Sequence, residues 1–307
     1  MASAPADGPS IETGHPKMRY RKVGRGVDTF TVSAIGLGEM PLSVAGRPDR
    51  TQAINTIHAA LDAGMTFIDT ADAYCLTAAD AGHGERLVAA ALASYGSDTT
   101  GVLVATKGGH TRGADGSWSV DGRPEYLKRA CEQSLKTLGV PAIGLYQFHR
   151  PDPRVPYADS IGAIRELLDE GKIVLAGISN ANVTQIALAD RILDERLAVV
   201  QNQFAPNFRS SEGELNYCRD NGIAFLPWSP LGGIGNASGI ERRYPAFVKV
   251  AAARGITAQQ ATLAWMLAKG ENVIPIPGSS RPETAVASAA AADIELTVEE
   301  VALLDAA

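Results

Sequence analysis

The chain has 307 residues, 45% of them hydrophobic and 20% charged, with a net charge of -6 and a pI near 5.4. That composition is ordinary for a soluble globular enzyme or binding protein with a core of normal size, and its acidic balance argues against a nucleic-acid groove or an anionic membrane surface as the main partner. Cys75, Cys131 and Cys218 are an odd number at unpaired spacings, which disfavours a disulfide framework or a zinc site, and no run of about 18 apolar residues marks a membrane span.

The opening stretch, MASAPADGPSIETGHPK, is rich in Ala, Pro, Gly and Ser and has no apolar core like that of a signal peptide. Residues 1–17 are expected to form a flexible tail, and the protein is expected to be cytoplasmic. From residue 18 to 307 no linker or low-complexity block divides the chain, so a single domain is expected. It begins with a hairpin, MRYRKVG and TFTVSA. Apolar, β-branched runs then follow at 33–38, 65–69, 101–107, 143–149, 173–179, 197–203, 223–229 and 272–278.

Helical patterns separate these runs. DRTQAINTIHAALDAG has an Asp start, apolar residues at helical spacing and a Gly stop, and RPEYLKRACEQSLKTLG has Pro124 in its first turn and Gly139 at its end. Strands alternating with helices imply a parallel sheet with covering helices. Eight such units in about 270 residues predict an α/β chain folded as a (β/α)8 TIM barrel rather than an open doubly wound sheet. The glycine fingerprint of a dinucleotide-binding βαβ unit fails after GLGEMP.

In such a barrel, chemistry sits at the C-terminal ends of the strands. The second strand ends at Asp69 with Tyr74 just beyond, the third at Lys107 and the fourth at His149. Taken singly, a strand-end Lys is a solvated charge, a buried His a hydrogen-bonded core residue and an Asp before a turn a cap. Matched positions in successive units make a shared site the better reading. An ammonium beside a phenol lowers its pKa, and an Asp paired to that Lys holds it charged and in place. A His near the hydroxyl orients a carbonyl oxygen or relays a proton. Together they would polarise a carbonyl and protonate the resulting alkoxide. No protein side chain supplies a hydride, so a nicotinamide cofactor is implied.

The segments FIDTADAY, VLVATK, GLYQFHRPD, GISN, VVQNQF, PWSPLGGIG and IPIPGSSRPE resemble, in order and spacing, the motifs of the aldo-keto reductases, over about residues 18–305. The resemblance implies a barrel closed at its base by the N-terminal hairpin, a catalytic tetrad of Asp69, Tyr74, Lys107 and His149, and NADPH lying extended across the C-terminal face. It implies that Ser179, Asn180 and Gln201 hold the nicotinamide carboxamide, with Trp228 stacked on the ring. Gly38 and Met40 are expected to bind the cofactor as well. Ser229, Pro230 and Leu231 would approach the pyrophosphate through their backbone. Gly278, Ser279, Ser280 and Arg281 would open the last helix on the adenosine side, with Arg281 reading the 2'-phosphate that distinguishes NADP from NAD. The pattern departs from many relatives at Thr284, Ala287 and Ser288, where a basic residue and a Glu-Asn pair near the adenine are missing, so the NADP preference leans on Arg281. A longer stretch after Tyr74 places Cys75 beside the phenol and reads as a loop insertion rather than a redox switch.

The expected substrate is a small-molecule aldehyde or ketone, bulky or aromatic given the rim candidates Met40, Trp118, Trp228 and Phe208. Two alternatives compete. One is an NADPH-binding regulatory subunit with slow turnover, which the acidic charge and full tetrad disfavour. The other is a metal-dependent barrel hydrolase, for which His58, His83 and His110 lack the ligand spacing. The sequence leaves oligomeric state open.

Overall fold

The structure, a computed structural model, describes residues 18–307, and the expected N-terminal tail lies outside the described residues. Strands β1 (Tyr20–Val23) and β2 (Phe30–Ser33) pair antiparallel, with Arg21 opposite Val32. Val23 and Val32 are fully buried and pack with Phe67, Leu103 and Ala224, which begin or nearly begin later strands. The hairpin therefore plugs the N-terminal end of the barrel.

The barrel proper starts with β3 (Leu37–Gly38), α1 (Arg50–Asp62), β4 (Phe67–Asp69), α2 (His83–Ser94) and β5 (Leu103–Gly108). A small antiparallel hairpin, β6 (His110–Arg112) and β7 (Trp118–Val120), interrupts the alternation before α3 (Pro124–Leu138). There follow β8 (Ile143–Phe148), α4 (Tyr157–Asp169), β9 (Ile173–Ser179), α5 (Val183–Ile192), β10 (Leu197–Gln203), α6 (Glu212–Asp220) and β11 (Ala224–Trp228). The chain ends with α7 (Ile240–Arg243), α8 (Pro245–Arg254), α9 (Ala258–Leu267), α10 (Pro282–Ala290) and α11 (Val298–Asp305). Seven parallel strands lie in the order β11-β10-β9-β8-β5-β4-β3, each beside its neighbour in chain order apart from the inserted hairpin.

Local chemistry sets the helix boundaries. Asp49 caps α1 by accepting from Gln52 N at 2.9 Å, Asn182 and Gln185 form a capping box on α5, and α3 opens on Pro124 and stops at Gly139 in the left-handed region, φ 69°. Among the described residues no helix is long and apolar enough to cross a membrane.

The expected eighth strand, residues 272–278, closes the barrel without forming a regular strand. Ile274 and Ile276 donate to the carbonyls of Phe225 and Pro227, and the carbonyls of Pro275 and Pro277 accept from Gly36 and Gly38. Two prolines on the side facing β3 have no N–H to return, so only half of that ladder can form. Likewise the run 33–38 shortens to Leu37–Gly38, because Ser33 belongs to the plugging hairpin.

Side chains alternate along the strands. Outward residues such as Tyr146, Ile178, Val200 and Phe225 pack under the helices in one large cluster. Inward ones (Phe67, Leu103, Ala105, Leu145, Leu175, Val199 and Leu226) form a dry layer inside the barrel. Two residues beyond Phe67, Ala105, Leu145 and Val199, the inward positions change character: Asp69, Lys107, Gln147 and Gln201 form a buried polar belt above the apolar floor.

Candidate active site

Lys107 is the centre of that belt and is fully buried. Each of its three N–H groups has a partner: Asp69 Oδ2 at 2.6 Å, the Thr70 carbonyl at 2.9 Å and the Tyr74 hydroxyl oxygen at 3.1 Å. The other oxygen of Asp69 accepts from Gln147 Nε2 at 3.0 Å and Gln201 Nε2 at 2.8 Å, so the carboxylate is satisfied on both sides. Gln147 was not among the residues the sequence singled out. Its signal is the spacing Leu145–Gln147–His149, which puts an amide at the height of the acid-lysine pair.

Backbone contacts fix the phenol. Thr70 N donates to Ala105 O at 2.8 Å, Tyr74 N to Ala71 O at 3.2 Å, and Gly84 N, in the first turn of α2, to Tyr74 O at 3.1 Å. Because Lys107 donates to Tyr74, the Tyr74 oxygen is an acceptor there and its own O–H is free to point elsewhere.

Burial raises the Tyr74 pKa, against the opposing pull of the Lys107 ammonium. The sequence-based expectation of a net lowering is thus reversed: desolvation of the phenolate outweighs the nearby charge. Burial also disfavours the charged form of Lys107, yet the Asp69 carboxylate and the Tyr74 contact prevail and raise its pKa.

His149 closes the site from the end of β8, its ring edge-on to Tyr74 at 5.7 Å between centroids. Burial first, then the Lys107 charge, holds it well below the usual histidine range, so it is neutral. Its Nδ1 is buried without a partner among the described residues. Placing the lone pair there assigns the proton to Nε2, which has no protein partner on this lining residue. His110, from β6, stacks on His149 at 4.2 Å and 18°.

These groups form the floor of a cavity of about 450 Å³. Of the residues singled out in the sequence, Gly38, Met40, Asp69, Tyr74, Trp118, His149, Ser179, Asn180, Gln201, Trp228, Ser229, Pro230, Leu231, Gly278 and Ser280 line it. Lys107 lies directly beneath. Arg281 instead lines an adjoining open hollow of about 380 Å³ with Asp49, Gln52 and Asn55, and Gln52 Nε2 donates to Ser280 O at 2.8 Å between the two. Phe208 is not in the lining: it closes a tight turn, exchanging two backbone hydrogen bonds with Ala205. Arg150 is in the lining and was not singled out, and His110, weighed in the sequence only as a metal ligand, lines it too. Cys75 is buried, its thiol donating to Ala73 O at 3.4 Å and its pKa pushed up by burial. The residues after it are tied to the β6–β7 hairpin through Arg112 Nη2 to Leu76 O at 2.9 Å and Ala78 N to Gly113 O at 3.1 Å.

The far side of the cavity suits a nicotinamide dinucleotide. Asn180 Nδ2 donates to His149 O and Ser179 Oγ, and Gln201 Nε2 donates to Asp69 and Gln147, so both side chains keep an acceptor oxygen free for a carboxamide NH₂. Asn180 and Ser229, both on the cavity wall, hold left-handed backbone, φ 59° and 51°, as do Asp194 and Glu195 in the loop after α5. Trp228 Nε1 and Ser279 Oγ are buried without partners among the described residues. Gly232 and Gly233, at φ 87° and 98°, leave open backbone for a pyrophosphate, since a side-chain carbon added at either would meet nothing closer than 3.6 Å.

Comparison with known proteins identifies the family. Residues 34–307 match the family model for the aldo/keto reductase family. An uncharacterized oxidoreductase of Schizosaccharomyces pombe is 33% identical over 285 residues, 91% of this chain and 88% of that protein. A thermostable aldo-keto reductase solved with the inhibitor epalrestat superposes with a TM-score of 0.79 at 28% identity, over 94% of this chain and 99% of that one. An aldo/keto reductase from Klebsiella pneumoniae, solved with NADP and acetate, gives a TM-score of 0.75 at 30% identity, over 93% and 95% of the two chains. With a family match that runs from the end of the plugging hairpin to the last residue, on a barrel of the same architecture, this chain belongs to the aldo/keto reductase family.

Proposed function

We propose that this oxidoreductase reduces an aldehyde or ketone to the alcohol with NADPH, and that residues 18–307 act as one catalytic unit. The observation that carries the reading is the Asp69–Lys107–Tyr74 chain, at 2.6 and 3.1 Å, buried directly under a cavity whose β9–β11 side suits the cofactor. NADPH, when bound, supplies the hydride. Tyr74, protonated across the physiological range, gives its proton to the carbonyl oxygen as that oxygen gains negative charge. Lys107 stabilises the phenolate that results, and Asp69 keeps Lys107 charged and aimed. His149, neutral and with its proton on Nε2, donates to the same oxygen and helps orient the carbonyl. Ser179, Asn180 and Gln201 would hold the carboxamide, Trp228 would cover the ring, and Ser229, Ser280 and Arg281 would take the phosphates.

The test is NADPH absorbance loss with a panel of aromatic and aliphatic aldehydes, with Tyr74→Phe as control. Steady turnover that disappears in the variant while NADPH still binds supports the assignment. Tight NADPH binding with no turnover on any carbonyl, or equal turnover in the variant, removes it.

A further inference from the structure

The cavity wall has one cation whose charge is not already engaged among the described residues. Asp69 is neutralised by Lys107, which is sealed beneath the floor, and His110 and His149 are both held neutral, His110 at a pKa of about 4 through burial and the neighbouring Arg150 charge. Arg112, nearby, lays its guanidinium 3.9 Å over the Trp118 ring and donates to Leu76 O. That leaves Arg150, the residue after His149. Its Nε donates to His110 Nε2 at 3.0 Å, and its two terminal nitrogens make no hydrogen bond or ion pair among the described residues.

This bond has two consequences. An arginine can only donate, so His110 must present a lone pair at Nε2 and carry its proton on Nδ1. The same bond anchors the guanidinium by its inner nitrogen and turns the outer pair of N–H groups loose as a fork. A fork of that kind matches the two oxygens of one carboxylate. The His110 ring that holds Arg150 is stacked on His149, so the fork is indexed to the site where the carbonyl oxygen must sit. Arg150 follows β8, which β9 and β10 separate from the glycine-rich segment after β11 that suits the pyrophosphate. The fork therefore stands on the substrate side of the cavity.

We infer that Arg150 is a specificity-determining residue, held by His110, and that the preferred substrates are carbonyl compounds bearing a carboxylate. The inference rests on the reductase reading above. The remaining wall, with Met40, Trp118, Leu231 and Ile234, is apolar and would accept the carbon skeleton between the two polar ends.

The experiment compares 4-carboxybenzaldehyde with its neutral methyl ester, methyl 4-formylbenzoate, under NADPH, for the natural chain and for Arg150→Met, Arg150→Lys and His110→Phe. The ratio of kcat/KM, acid over ester, is expected to exceed one in the natural chain and to fall roughly 5- to 10-fold in Arg150→Met, because Arg150 is exposed and solvent weakens its pair with a carboxylate. Arg150→Lys keeps the charge but not the fork and should lie between. His110→Phe keeps a ring for the stack but frees the guanidinium and should lower the ratio less than Arg150→Met. Glyceraldehyde 3-phosphate against glyceraldehyde tests whether phosphate is taken instead, which would overturn the carboxylate assignment. An unchanged ratio in Arg150→Met, or a rise in the KM for NADPH without a change in ratio, overturns the proposal. Failure of the reductase reading is separately visible, because it would abolish turnover of the neutral ester in the natural chain.

Discussion

Replacing Lys107 with methionine separates the two roles the structure gives to the buried pair. The substitution removes three donors at once, those to Asp69, Thr70 O and Tyr74. It leaves the Asp69 carboxylate buried and uncompensated, and breaking a buried pair in this way costs about 3–5 kcal/mol. Gln147 and Gln201 still donate to Asp69 Oδ1, so a value near the lower end, about 3 kcal/mol, is expected. For a chain of this size that is a fall in Tm of roughly 6 °C. Asp69→Asn alone strands the ammonium instead and should cost a similar amount. The double variant Asp69→Asn/Lys107→Met buries no net charge, so it should be more stable than the sum of the single losses by about 2 kcal/mol or more. Turnover should not return with stability. Without the ammonium, Tyr74 faces the full burial penalty on its phenolate, and in Asp69→Asn the ammonium loses the carboxylate that holds it charged and aimed, so all three variants should lose on the order of 10²–10⁴-fold in kcat. Urea unfolding followed by tryptophan fluorescence gives the first quantity, and NADPH absorbance loss the second. Additive single and double losses would refute the claim of a coupled buried pair, and a double variant that regains turnover would refute the role given to Lys107.

Three further outcomes are expected. Arg281→Ala should raise the KM for NADPH roughly 10- to 150-fold, the range for one charge-assisted contact, and leave NADH nearly unchanged; an equal effect on both would mean that Arg281 does not read the 2'-phosphate. Glu39, fully buried against Ser43 and Thr70, has its pKa raised by burial to about 8. Between about pH 4.5 and 8 this carboxyl therefore holds a proton in the folded chain that it releases in the unfolded one, so its own share of the stability falls by about 1.4 kcal/mol per pH unit as pH rises, beside same-sign shares from the buried carboxyls of Asp72 and Glu85. Glu39→Gln should flatten that slope in urea unfolding at about pH 6 and 8, and an unchanged slope would place the proton elsewhere. Gly84→Ala should cost about 1–3 kcal/mol by overpacking, because the added carbon would collide with the Glu39 carboxylate and lie 2.6 Å from Thr70 Oγ1; a thermal midpoint equal to the parent would show that the pair moves aside freely.

The period of two along the strands made much of this arrangement legible. Phe67 and Asp69, Leu103 and Lys107, Leu145 and His149 share inward parity, so spacing alone gives each polar group its height above the apolar floor. Gln147 has the same parity and the same height as Asp69 and Lys107, but that spacing is its one signal, since a neutral amide has no acid-base chemistry to draw notice. Arg150 was passed over for a related reason: directly after a strand, an arginine reads as a solvated charge, and only its bond to His110 distinguishes it. The last strand was legible in place but not in form, since Pro275 and Pro277 permit bridging while preventing a full ladder.

Height and azimuth are encoded differently. Consecutive parallel strands joined by right-handed crossovers are neighbours, so the order of Asp69, Lys107 and His149 around the barrel follows from chain order. The β6–β7 hairpin obeys no such rule. Its strands are three residues each, half exposed, and joined through GADGS. Where it lies is decided by contacts to residues distant in sequence: Arg112 to Leu76 O, Ala78 N to Gly113 O, and the stack of His110 on His149. The part of the site that would perform the chemistry is therefore written in local periodicity. The part that would select the substrate is written in long-range contacts.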